Sequence, residues 1–133
     1  MRPSRLILAL IAIALCAWFA IGIRQAHDTA KATAILSGSG PLSPSQLRAA
    51  AGALRGAKLL NPDTEVAVLR GQLALREGNA ARAQRIFEDA GRQEPRNIEA
   101  WAWLARAAGS NHALIRLALD NIARLEPKVA PAP

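Results

Sequence analysis

Cysteine appears once in these 133 residues, tyrosine not at all and histidine only twice. Cys16 lies inside an apolar run, so no intrachain disulfide is possible and cysteine usage says nothing about redox compartment. His27 and His112 are far apart in sequence, and neither has a carboxylate or cysteine at ligand spacing, which argues against a metal site. Val, Ile and Thr never alternate in a strand-like run, so there is no strand to present a Gly-rich phosphate loop. The adjacent carboxylates Glu88 and Asp89 diverge on a helix rather than pair. No nucleophile motif is present. These absences point away from an enzyme, a cofactor or a small-molecule substrate.

What the chain does have is an uninterrupted apolar run at residues 6–23, LILALIAIALCAWFAIGI. A helix of that length spans about 27 Å, close to the hydrocarbon thickness of a bilayer. A secretory signal peptide normally has a shorter apolar core and a small-residue cleavage site just beyond it. Here Arg24, Gln25, Ala26, His27 and Asp28 follow, and the first small-x-small match is late, at Ala30-Lys31-Ala32. A lipoprotein signal ending at Cys16 would need a small residue before it, where Leu15 stands. An uncleaved signal anchor fits best. Arg2 and Arg5 precede the run, while beyond it Arg24 and Lys31 are partly offset by Asp28. The positive-inside bias then places residues 1–5 in the cytoplasm and the rest outside it. Trp18, late in the run, suits an interfacial ring.

Beyond the run, fifteen Lys/Arg face ten Asp/Glu. Nucleic-acid readers cluster their positive charge and often add exposed aromatics. In this chain Glu77, Glu88, Asp89, Glu94 and Glu99 are interleaved with the arginines, the pattern of solvated helix faces. No nucleic-acid partner is expected. The basic excess is plain arginine-rich composition, or suits anionic lipid headgroups or an acidic partner.

The remainder reads as helix throughout. Residues 24–36 lack Gly and Pro, so the apolar helix is free to extend into solvent, and 37–44 (SGSGPLSP) form a linker. A helix then opens at Ser45, with Leu47, Ala50, Ala51, Leu54 and Ala57 on one stripe. Asn61-Pro62-Asp63-Thr64 ends it and offers caps for the next helix. Val66, Leu69, Leu73 and Ala74 face inward there, and Gly78-Asn79 turns the chain. Ala83, Ile86, Phe87 and Ala90 form the following stripe, up to Pro95. Ile98, Trp101, Leu104, Ala105 and Ala108 make another, and Leu114, Leu117, Ala118 and Ile122 a last one. The tail at 128–133 is too proline-rich to fold.

The stripes repeat. Ala83, Phe87, Ala90 and Pro95 follow Ala50, Leu54, Ala57 and Pro62, and precede Ile115, Leu119, Ile122 and Pro127. Glu65, Gly71 and Ala74 recur as Glu99, Ala105 and Ala108. Residues 64–97 resemble a tetratricopeptide repeat, a helix–turn–helix unit. Gly71, Ala83, Phe87, Ala90 and Pro95 fall on the family's small, alanine, aromatic, alanine and proline positions. In the next unit Trp101, Leu104 and Ala105 fall on its aromatic, leucine and small positions. Departures are Ala67 and Arg70, where an aromatic and a leucine are usual, and bulky Ile115 and Ile122 at small positions. The resemblance covers residues 45–127, with 24–36 as the only segment available for the first unit's missing helix.

The fold expected is therefore all-α, a transmembrane helix followed by a short right-handed α-solenoid of antiparallel helix pairs. Small residues let helix axes approach within about 8–10 Å, and Phe87 and Trp101 fill the space between units. Trp103 lies on another face, as a binding anchor or as packing against the last helix. The resemblance implies a protein-binding concave face, made of Glu65, Val68, Gln72, Leu75 and Arg76 in the middle unit and Glu99, Ala102 and Arg106 in the last. That mixture suits a peptide segment or a partner helix, and it lacks the lysine and asparagine pattern that clamps C-terminal carboxylates. The expected function is a membrane-anchored adaptor or scaffold that helps assemble or recruit a bacterial cell-envelope complex. Proteins of this look are similar to accessory factors of cytochrome c maturation, surface-polysaccharide assembly and secretion. The alternative is a small single-pass subunit of a larger membrane complex, its span packed through Ala12, Cys16 and Ala20.

Overall fold

The computed structural model describes residues 3–38, 40–58 and 64–126. They form α1 (Pro3–Leu36), α2 (Pro44–Lys58), α3 (Thr64–Arg76), α4 (Ala80–Gln93), α5 (Ile98–Ala107) and α6 (His112–Leu125). Among the described residues there is no strand. Residues 1–2, the breaks at Pro62 and Pro127, the caps expected from Asn61 and Asp63, and the tail at 128–133 lie outside them.

The apolar run and the segment after it are one helix. At 34 residues, α1 is about 51 Å long. Residues 7–24 are all exposed, and an 18-residue window within the helix has a mean hydropathy of 2.4 with none of it buried. By length and composition α1 is able to cross a membrane. Its last turns behave differently, because Ala32 and Leu36 are buried in the helical core. The packed core therefore includes the end of α1.

Two apolar clusters meet at α3. The first joins Ala32 and Leu36 to Ala50, Leu54 and Ala57 of α2 and to Val66, Leu69 and Leu73 of α3. The second joins Val68 and Ala74, on other faces of α3, to Phe87, Trp101, Leu104 and Ala118. Apolar residues on several faces are what a helix with neighbours on several sides needs. Each helix packs on its neighbours in the chain, and α1 and α5 both also touch α3.

Local chemistry explains the helix boundaries. At the start of α2, Gln46 N donates to Ser43 Oγ at 3.3 Å and Ser43 N donates to Gln46 Oε1 at 2.8 Å. This reciprocal capping box, with Pro44 in the first helical position, starts the helix one residue earlier than the sequence suggested. Asn79, Asn97 and Asn111 each accept from a backbone N–H three residues on, at 3.0, 3.1 and 3.2 Å, and so start α4, α5 and α6. Gly78 ends α3 at a φ of +77°. It donates to Leu75 O while Asn79 donates to Ala74 O, the paired bonds of a left-handed helix terminus.

In α6 three of the four expected residues, Leu114, Ala118 and Ile122, pack on the second cluster, but the register of α4 is not repeated. Leu119, which repeats Phe87 in sequence, is 50% exposed, and Leu117 is 38% exposed. Asn121 is buried beside Ala118, which rotates the inward face by about one residue relative to α4. Phe87 lies between flanking helices, whereas α6 packs on α5 and no described helix follows to cover its outer side. Ile98 is likewise exposed rather than inward, because it is the first residue of α5, at the edge of the packed layer.

Candidate functional site

A cleft of about 510 Å³ opens along the odd-numbered helices. α3 supplies Glu65, Val68, Leu69, Gln72 and Arg76, which follow one another at helical spacing along a single face. α5 adds Glu99, Trp103 and Arg106, and the end of α1 adds Thr33 and Leu36. Six of the eight residues expected at the concave face thus stand around one opening. Leu75 is instead half-buried against the second core cluster, and Ala102 is exposed without lining the cleft.

Helix starts dictate the charges at one end of the cleft. Glu65 and Glu99 occupy the first turns of α3 and α5, where carboxylates complement the helix dipole. The two starts are tied together through the α4–α5 turn. Asn97 Nδ2 donates to Thr64 Oγ1 at 3.1 Å and to Glu94 Oε2 at 3.2 Å, and Thr64 Oγ1 donates to the same carboxylate. Arg106 stands in the last turn of α5, so the cleft is acidic at one end and basic at the other.

Trp103 holds the middle of that surface. Its ring stacks on Phe87 with centroids 6.0 Å apart and planes 15° from parallel. The Arg106 guanidinium lies over it, 5.2 Å from the ring centre, and Trp103 Nε1 donates to Glu99 Oε1 at 3.3 Å. A half-buried indole held by a stack, a cation and a carboxylate is preorganised for contact. Sequence spacing placed it off the core stripe but left its role open. Trp101 differs, being buried with Nε1 donating to Pro95 O at 3.1 Å.

Arg76 has an internal task. Its guanidinium donates to Gly40 O at 2.9 Å and Leu36 O at 3.1 Å, and also to Gly38 O. Leu36 ends α1, so Arg76 satisfies a carbonyl left orphaned at that terminus and fastens the linker to the end of α3. It lines the cleft as a wall, with its donors turned to the chain's own backbone.

The chain matches no family model, no curated protein and no solved structure. Among the described residues no three His, Cys, Asp or Glu side chains stand close enough together to hold a metal ion. The arginine-rich outer helices carry local pairs, Arg92–Glu88 at 2.5 Å within α4 and Arg82–Glu77 at 3.4 Å. Exposed pairs of this kind contribute little, about 0–1 kcal/mol.

Proposed function

We propose that the chain is a membrane-anchored adaptor of tetratricopeptide type, binding a protein segment in the cleft between α1, α3 and α5. The observation that carries this reading is the cleft itself. Charges of both signs, an oriented indole and apolar floor residues are gathered from three helices far apart in sequence. A peptide or helix needs that mixture, since apolar anchors supply affinity and charges fix register.

In this reading α1/α2, α3/α4 and α5/α6 are three antiparallel pairs stacked as a right-handed solenoid. Support comes from the ends that meet. Asp28 of α1 lies against Gly56 of α2, where an added Cβ would come within 2.5 Å of its carboxylate, so α2 returns toward the apolar half of α1. Arg76 at the end of α3 meets the end of α1. A stack needs at least about three units to bury a continuous core, and the last half of α1 supplies the helix that the first unit lacked in sequence. The role is binding rather than catalysis. We place the domain outside the bacterial cytoplasm, where it serves assembly or recruitment of an envelope complex.

The second reading, a single-pass subunit of a larger complex, draws on Ala12, Cys16 and Ala20, which stand exposed at fourfold spacing on α1. One experiment separates the two. Proteins co-purifying with the full chain from native membranes are compared for Gln72→Trp/Arg106→Glu, which blocks the cleft, and for Arg85→Glu on the outer face. Loss of a partner only on blocking the cleft supports the adaptor. Retention there, with loss on replacing Ala12 and Ala20 by leucine, overturns it in favour of the subunit.

A further inference from the structure

The cleft does not stop at α3. A second groove, of about 640 Å³, runs along α1 from Gly22 to Ala34 and shares Thr33 and Glu65 with the cleft above it. Gly22 belongs to the apolar run, so the groove begins at the end of the segment able to cross a membrane. Gly22, Ala26, Ala30 and Ala34 recur every fourth residue along its floor, and small residues at that spacing let a second helix approach closely. Gln25 also lines the groove, and its Nε2 is buried without a hydrogen-bond partner.

Direction along the groove is defined. Glu65 stands in the first turn of α3 and lines the groove beside α1, whereas Arg76 in the last turn reaches Leu36. α3 therefore runs alongside α1 in the same sense. α5 does so too, because Asn97 at its start is bonded to Thr64 at the start of α3. Glu65 and Glu99 thus face the bilayer end and Arg106 the far end, about 10 Å beyond Glu99 at 1.5 Å per residue.

From this we propose that the combined groove takes the juxtamembrane helix of a second, different membrane protein, docked parallel to α1 as it leaves the bilayer. Its complementary charge is a Lys or Arg within the first turns outside the membrane and an Asp or Glu about two turns further on. The inference rests on the adaptor reading and on α1 as a membrane span.

The test uses the full chain in native membranes, with p-benzoylphenylalanine in place of Ala26, Ala30 or Gln72, or of exposed Lys31 outside the groove. After irradiation, mass spectrometry identifies the attached protein and residue. Expected are adducts from 26, 30 and 72 to one protein, within about 15 residues after one of its spans by helical rise, and none from 31. Reversing Glu65 and Glu99 to arginine should lower adduct yield about tenfold, as like charges replace opposite ones. Reversing the partner's basic residue should restore it. Adducts to a soluble protein or to a second copy of this chain overturn the proposal. Adducts from 72 alone overturn it while leaving the adaptor reading standing, and none from any groove position overturns both.

Discussion

Gly91 of α4 and Trp101 of α5 are in such close contact that a Cβ on the glycine would lie 2.8 Å from the indole ring. The buried ring takes the space that any side chain at 91 would need, so a glycine in mid-helix is what allows α4 and α5 to close. Gly71 of α3 is in similarly close contact with the Phe87 ring of α4. Glycine lowers helix propensity by about 1 kcal/mol, and here close packing offsets it.

Gly91→Ala is accordingly expected to lose stability, by about 1–3 kcal/mol, the cost of overpacking a filled core. Gly52→Ala, in mid-α2 with nothing within 4 Å of the added Cβ, should gain about 0.5–1 kcal/mol. Urea unfolding of the detergent-solubilised chain, followed by circular dichroism, reads both. A gain at 91 would contradict the contact.

Phe87 is fully buried while its sequence repeat Leu119 is half exposed. Phe87→Ala should cost about 3–5 kcal/mol through lost transfer energy and a cavity. Leu119→Ala should stay within about 0.5 kcal/mol, as surface changes do. Similar losses at the two positions in the same unfolding measurement would show that α6 packs in the register of α4.

Asn97 caps α5 and also bridges Thr64 and Glu94. Asn97→Ala should therefore cost about 2 kcal/mol, at the upper end of the range for caps, and Asn111→Ala about 1 kcal/mol. Thermal melts of the two variants should rank them in that order, and the reverse order would deny the bridge.

Arg76 holds the Leu36 carbonyl at the end of α1 and the Gly38 and Gly40 carbonyls of the linker. In Arg76→Ala, amide hydrogen exchange across residues 36–40 should accelerate about tenfold, the equivalent of losing one charge-assisted hydrogen bond. Lysine should not restore protection, because a point charge lacks the guanidinium fork that spans several acceptors. Full protection in Arg76→Lys would reduce the contact to simple charge attraction.

Much of the fold was legible from residue spacing. The stripes Ala50, Leu54, Ala57 and Val66, Leu69, Leu73 are buried where the 3.6-residue period put them. Turns were legible because Gly78-Asn79 and Gly109-Ser110-Asn111 combine a left-handed residue with a cap. Where the period failed, at Leu117 and Leu119, no described helix packs on the outer side of α6. Periodicity reports which face is apolar, whereas burial also requires something to pack on it. Site residues were legible in part for the same reason. Glu65, Gln72, Glu99 and Arg106 share faces that local spacing defines, but Leu75 and Ala102 sit one step round their helices from the opening.

Residue order and type determined the apolar helix, the helical segments and their caps, because these depend on neighbours within a few residues. Only the tertiary structure decided that Ala32 and Leu36 at the end of α1 join the core, that Arg76 fastens the linker and that Trp103 is set between Phe87 and Arg106. Those relationships join parts of the chain up to 40 residues apart. Side-chain contact across such separations is set by how helices pack, which no local pattern encodes.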